Sequence, residues 1–119
     1  MDLKPPNVAV PALSEIVLKT GKFDQLKNWY ITALSSQPFF IRPRPKEVSW
    51  TGSQQIAFFK LAGEYPYSQV LGIFEVDGTI EAPGTDPGLH HFQMAHGTFD
   101  ELFARYDNLK DAGILPAHT

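Results

Sequence analysis

The hydrophobic pattern of residues 13–76 combines short β-rich runs with one helical stripe. Residues 13–20 are short and rich in β-branched side chains, which predicts a strand that Gly21 ends. Apolar residues then recur at helical spacing and predict an amphipathic helix over residues 23–34. Three further strands are predicted over residues 38–41, 55–61 and 69–76, because proline and glycine clusters separate these apolar runs.

The pattern begins again after residue 77. Residues 78–88 are rich in Gly, Pro, Thr and Asp, which is typical of a linker. Residues 89–95 predict a strand. Thr98 and Glu101 have the spacing of a capping box, and Gly113 can supply a left-handed C-cap. We therefore expect a helix over about residues 98–112.

Strand alternation separates the two adjacent histidines. Side chains on a strand point alternately to opposite faces, so His90 and His91 would face opposite ways. His90 shares its face with Phe92 and Met94, which suit packing under the helix. The other face is therefore the more suitable one for a cavity, and it carries His91.

These elements predict an α+β domain built from βαβββ modules. We expect an extended, proline-rich arm over residues 1–12 and a single domain over 13–119. Its first module covers 13–77, and 88–119 begin a second module that has only a strand and a helix. Such a fragment would expose unpaired backbone and an apolar helix face. We therefore expect the missing strands to come from a chain that continues past Thr119 or from a second copy, and we predict a homodimer.

Composition and charge limit the classes of partner that the chain is expected to bind. The chain has 119 residues and no cysteine, which predicts one modest domain without disulfides. No apolar run approaches the ~18 residues of a membrane span, and the N-terminus lacks a signal-peptide core. We expect a cytoplasmic protein without a membrane partner. The net charge of −3 divides into +4 over residues 1–60 and −7 over 61–119. The basic run at 42–46 lacks a sustained basic face, so we expect no nucleic-acid partner.

The chain resembles the vicinal oxygen chelate superfamily, which includes glyoxalase I, bleomycin-resistance proteins and type I extradiol dioxygenases. The resemblance covers roughly residues 13–119. It rests on residues 13–20, 29–30 and 33–34 in the first module, and on 88–92, 99–102 and 106–114 in the second. The second-module match is similar to small single-domain extradiol dioxygenases. The resemblance implies paired βαβββ modules with a metal ion in the cleft between them.

The resemblance also implies metal ligands on inward-facing strand positions. The first-strand position, usually histidine in the family, falls on Glu15, and the second-module histidine falls on His91. Glu75 lies near a carboxylate position of the glyoxalase branch. The family's last ligand and the catalytic residues of the dioxygenase branch would lie beyond Thr119. Ordinary alternatives exist for each residue: a polar strand residue for His91, a lysine-paired or degenerate position for Glu15, and the start of a turn for Glu75.

The predicted function is that of a metal-dependent enzyme whose small substrate chelates the metal through adjacent oxygens. Extradiol cleavage of a catechol-like ring is the nearest branch. Fe²⁺ is the first candidate metal, with Mn²⁺ and Zn²⁺ as the others. Aromatic residues such as Trp29, Tyr30 and Phe58 belong either to the core or to a substrate pocket. The alternative is a metal-free small-molecule binding or sequestration protein of the same fold, and the replacement of histidine by Glu15 favours it.

Overall fold

A four-stranded mixed sheet carries the fold. The structure, a computed structural model, describes residues 9–47, 52–78, 89 and 91–116. Within these ranges the elements are β1 (Glu15–Thr20), α1 (Phe23–Leu34), β2 (Phe40–Arg42), β3 (Ile56–Leu61), β4 (Gln69–Glu75) and α2 (Phe99–Asp111). The predicted mixed α+β class is confirmed. Most of the linker predicted over 78–88 and most of the N-terminal arm lie outside the described residues, so the predicted domain bounds stay predictions.

The sheet places the first and last strands side by side. Its order is β1-β4-β3-β2. β1 runs parallel to β4, with Glu15 opposite Val70 and Thr20 opposite Glu75, and the other two pairs are antiparallel. The connection between these two parallel strands contains α1, β2 and β3.

β2 begins two residues later than the sequence pattern indicated. Pro38 has no N–H group, so it cannot donate a ladder hydrogen bond at the predicted start. The first bond to β3 is donated by the Phe39 N–H to the Phe58 carbonyl at 2.9 Å. The regular strand then covers Phe40–Arg42.

The core lies between α1 and one face of the sheet. From the helix, Phe23 and Tyr30 are 2% and 8% exposed, as their place on the predicted apolar stripe requires. The sheet contributes a fully buried set to the same cluster: Ala57, Phe59, Leu71 and Ile73. α1 ends where Ser35 adopts a left-handed φ of 50° and its N–H bonds back to the last turn.

α2 has both predicted caps. The Thr98 hydroxyl accepts from the Glu101 N–H at 3.2 Å, while the Glu101 carboxylate accepts from the Gly97 N–H at 3.1 Å. Gly113 has the left-handed φ of 82° that ends the helix. The apolar stripe of α2 remains exposed, with Phe99 at 77% and Phe103 at 61%. The described part of the chain therefore does not bury this helix.

The predicted strand over residues 89–95 is wrong for the described residues of that segment. Leu89 and residues 91–96 have no strand geometry. A strand needs a neighbour that shares its ladder of hydrogen bonds. Within the described ranges the sheet ends at β1 and β2, and neither edge pairs with this segment. Phe92 nevertheless packs against the core cluster, as its predicted packing side requires.

Candidate functional site

One face of the sheet is not covered by α1. We call it the open face and define its apolar part by Val17, Phe40, Phe58 and Phe74. Register and strand alternation place these side chains together, opposite the face that carries the core. Val17 and Phe40 are 38% and 48% exposed. The described residues therefore leave an accessible apolar surface on this side.

Aromatic rings form a continuous floor across the open face. The ring of Phe58 lies 6.0 Å from that of Phe40 and 5.9 Å from that of Phe74, between centroids. Gly72 makes this approach possible, because a Cβ there would lie 2.9 Å from Phe58 Cε1 and 3.2 Å from Val17 Cγ2. The rings of Phe40 and Phe74 are tilted to that of Phe58 by 37° and 77°, and the ring of Phe39 lies nearly parallel to Phe58 at 6.3 Å.

Glu15 lies at one rim of the open face. It is the first residue of β1, exposed, and opposite Val70. Lys60 on β3 also lies opposite Val70 and points to the same face. Both residues line a cavity of about 410 Å³ between the sheet and the segment 92–95. Glu15 is the one carboxylate among the described residues that line this cavity.

Glu75 lies at the opposite end of the sheet and is held in an ion pair. Its two carboxylate oxygens accept from Arg44 Nε and Nη2, both at 3.1 Å. Gln55 Nε2 donates to the same carboxylate at 3.3 Å. Hydrogen bonding and the negative charge of Glu75 raise the pKa of Arg44 further above its ordinary value. Glu75 is 8% exposed, so this arrangement satisfies a buried carboxylate.

His91 is exposed and lines a different cavity, of about 560 Å³, between α1, the segment 91–96 and α2. Arg105 of α2 lines both cavities. Its guanidinium donates to Ser35 Oγ at 2.6 Å and to the Leu34 carbonyl at 3.3 Å. Arg105 thereby joins α2 to the end of α1.

The structure does not bring the three predicted metal ligands together. Glu15 and Glu75 occupy opposite ends of a parallel strand pair, about 16 Å apart at 3.3 Å per residue, and alternation places them on opposite faces. His91 lines a cavity that neither glutamate lines. No group of three or more His, Cys, Asp or Glu side chains is spaced for a metal ion among the described residues. This set does not fit one metal ion within the described part of this chain.

Sequence reasoning did not find Arg44, Arg105 or Gly72. Arg44 lies in the basic run at 42–46, and the signal for its role was the need of a strand-end carboxylate for a partner. Arg105 interrupts the acidic surface of α2, but its partners are set by tertiary structure alone. Gly72 in an otherwise apolar strand was a usable signal, because such a glycine often marks a close approach.

None of the described helices is long and apolar enough to cross a membrane.

Comparison with known proteins gives one informative match. No family model matches the chain, and no solved structure matches it. The chain is 28% identical over 110 residues to biphenyl-2,3-diol 1,2-dioxygenase 2 of Rhodococcus globerulus. The aligned part is 91% of this chain but 50% of that protein, so the chain spans about half the length of this curated relative. The match gives weak support to the resemblance to the vicinal oxygen chelate superfamily.

Proposed function

We propose that this chain serves a dioxygenase-type function on a small aromatic substrate that carries adjacent oxygens. The observation that carries the proposal is the 28% identity, over most of this chain, to a dioxygenase that is named for biphenyl-2,3-diol. The order strand, helix and three strands, with the first strand beside the last, supports it as a layout compatible with one βαβββ module.

The open face supplies the proposed substrate surface. A substrate ring would contact Phe40, which is 48% exposed beside the central ring of Phe58. Glu15 and Lys60 lie two strands apart on either side of Val70, at the rim of the same face. In this arrangement the ammonium of Lys60 stabilises a deprotonated hydroxyl of the diol, and Glu15 accepts a hydrogen bond from its neighbour.

The proposed function includes dependence on a divalent metal ion. The resemblance implies a divalent ion, with Fe²⁺ ahead of Mn²⁺ and Zn²⁺, and such an ion would supply Lewis-acid chemistry. Because Glu75 is paired with Arg44 and lies far from Glu15, we derive no step through a metal ion. Glu15 and His91 stay the ligands to test. The homodimer and the cytoplasmic location stay predictions from the sequence.

The test measures metal content and oxygen consumption on the same preparations. The protein is loaded with Fe²⁺, Mn²⁺ or Zn²⁺, and bound metal is counted by plasma mass spectrometry. Oxygen uptake is then followed with biphenyl-2,3-diol. We expect Glu15→Gln to lower oxygen uptake, because it removes the carboxylate at the rim of the open face, whereas Glu64→Gln, an exposed position in the β3–β4 connection, leaves oxygen uptake unchanged. A protein that holds no stoichiometric metal and consumes no oxygen contradicts the enzymatic proposal.

A second candidate is metal-free binding of the same aromatic compounds. The ion pair of Glu75 with Arg44, and the separation of Glu75 from Glu15, favour it. Chelator-treated protein should then bind biphenyl-2,3-diol saturably in calorimetry and leave it unaltered. Binding that requires an added metal ion would exclude this candidate. A matched variant is Phe58→Leu, which removes the central ring and should weaken binding, beside Phe99→Leu on the exposed stripe of α2 as its control.

A further inference from the structure

The cavity beside Arg105 on the α1 side has the chemistry of a second ligand site. Its volume of about 560 Å³ falls in the range of small-molecule pockets, about 300–1,000 Å³. It lies away from the open face, between α1, the segment 91–96 and α2. Most of the described lining is apolar or aromatic: Trp29, Tyr30, Ala33, Leu34, Leu89, Phe92, Met94 and Leu109. The polar lining residues are His91, His96 and Arg105.

Two aromatic rings form one wall of this cavity. Trp29 and Tyr30 meet edge to face with 4.9 Å between ring centroids. Trp29 is 44% exposed and lines the cavity, so part of its surface is accessible to a ligand. Burial raises the pKa of Tyr30 above its ordinary value. A planar apolar group would find extensive contact here.

Arg105 gives the cavity a fixed positive charge. Its guanidinium is oriented by Ser35 Oγ at 2.6 Å and by the Leu34 carbonyl at 3.3 Å. These two bonds use two of the five donors of a guanidinium, so the described contacts leave donors for a ligand. No carboxylate is present among the described residues that line the cavity. A planar anion that can accept from a guanidinium is therefore the complementary group.

We propose that this cavity binds an aromatic monocarboxylate, with its ring against Trp29 and Tyr30 and its carboxylate on Arg105. A single oriented guanidinium can pair with one planar carboxylate through two parallel hydrogen bonds, and the apolar wall suits the ring that carries it. The proposal is independent of the function proposed for the open face, because it uses neither Glu15 nor a metal ion.

The probe pair is biphenyl-4-carboxylate and its neutral amide, biphenyl-4-carboxamide. The full chain carries the substitution Trp50→Phe, so that Trp29 is its only tryptophan. Binding is followed by Trp29 fluorescence in the presence of a chelator. We expect saturable quenching by the carboxylate with a Kd at least about tenfold below that of the amide, since hydrogen bonds to charged groups are stronger. Equal Kd values for the two probes, or no saturation, overturn the proposal.

Three variants separate a binding role of Arg105 from a structural one. Arg105→Gln should abolish the preference for the carboxylate. Lys110→Gln removes one positive charge from the same helix, outside the cavity lining, and should preserve it. Ala33→Phe fills the cavity and should weaken both probes. A preference that persists in Arg105→Gln overturns the proposal. If circular dichroism shows that Arg105→Gln is unfolded, Ala33→Phe takes over the test. Equal binding of the probes to Ala33→Phe and to the unaltered chain then overturns the proposal.

A second copy of the chain is the competing occupant of the cavity. Light scattering at the assay concentration tests it. A dimer that shows no saturable quenching by either probe assigns the cavity to a protein contact and overturns the proposal. Quenching by the carboxylate with no change in mass supports the small-molecule site.

Discussion

Two single substitutions in neighbouring strands, Phe59→Ala and Phe40→Ala, together test whether the open face is accessible in solution. Phe59 is 0% exposed in the core, with its ring centroid 6.4 Å from that of Tyr30. Truncating such a phenylalanine costs about 3–5 kcal/mol of unfolding free energy through lost burial and the cavity left behind. Phe40 on the edge strand β2 is 48% exposed. Half of the ~150–200 Å² that a phenylalanine buries, at ~25 cal/mol/Å², amounts to about 2 kcal/mol. Alanine keeps part of that contact, so we expect a loss of about 1–2 kcal/mol.

The assay is urea unfolding followed by circular dichroism, with slope and midpoint fitted for each variant. Phe59→Leu keeps a measurable transition if Phe59→Ala unfolds the protein, because total stabilities are commonly about 5–15 kcal/mol. Equal losses at the two positions would refute the accessible open face, because Phe40 would then be as buried in solution as Phe59. A loss at Phe40 that grows with protein concentration would show that a second copy covers it.

Three further predictions concern individual groups. Glu75→Gln should lower the urea midpoint, because Arg44 loses its bidentate ion pair. Glu15→Gln, at an exposed position, should leave the midpoint unchanged. Equal effects of the two substitutions would contradict the ion pair. Tyr30 should ionise at a higher pH than an ordinary tyrosine, because burial raises its folded pKa. The folded protein favours protonated Tyr30, and this stabilisation is present below the unfolded pKa and is lost as pH rises through the folded pKa. Absorbance at 295 nm follows the step, and ionisation of Tyr30 at the ordinary tyrosine pKa would disprove the prediction. Thr98→Ala should destabilise α2 by about 1 kcal/mol, with Thr98→Ser close to unchanged, as measured by amide exchange of its first turn; unaltered exchange would rule out the cap.

The elements of the first module could be predicted because local signals and tertiary packing agree there. The helical stripe that contains Phe23 and Tyr30 is the stripe that faces the core. The cap of α2 at Thr98 was visible because it involves neighbours in sequence. The strand predicted over 89–95 was wrong because alternation reports amphipathicity and not the presence of a pairing partner. A strand is completed by hydrogen bonds to another segment, which no local pattern contains.

The candidate site was much less accessible to sequence reasoning. Family resemblance selected residue types, but register decides which of them share a face. Glu75 lies on β4, one residue further than the open-face position that Phe74 occupies, and this single step turns it toward Arg44. Arg105 and Ser35 are far apart in sequence and meet only through the packing of α2 against the end of α1. Such contacts are properties of the fold.

The pairing of β1 with β4 has a consequence for synthesis. Val70 follows Glu15 by about 55 residues, and closing a loop of that length costs about 3–4 kcal/mol before any ladder bond forms. At roughly 5–20 residues per second, a ribosome needs about 3–11 s to deliver β4 after β1. During that interval the apolar side chains Ile16 and Leu18 have no sheet to join. β1 is thus made well before the strand with which it pairs, and its apolar side chains wait for β4 to emerge.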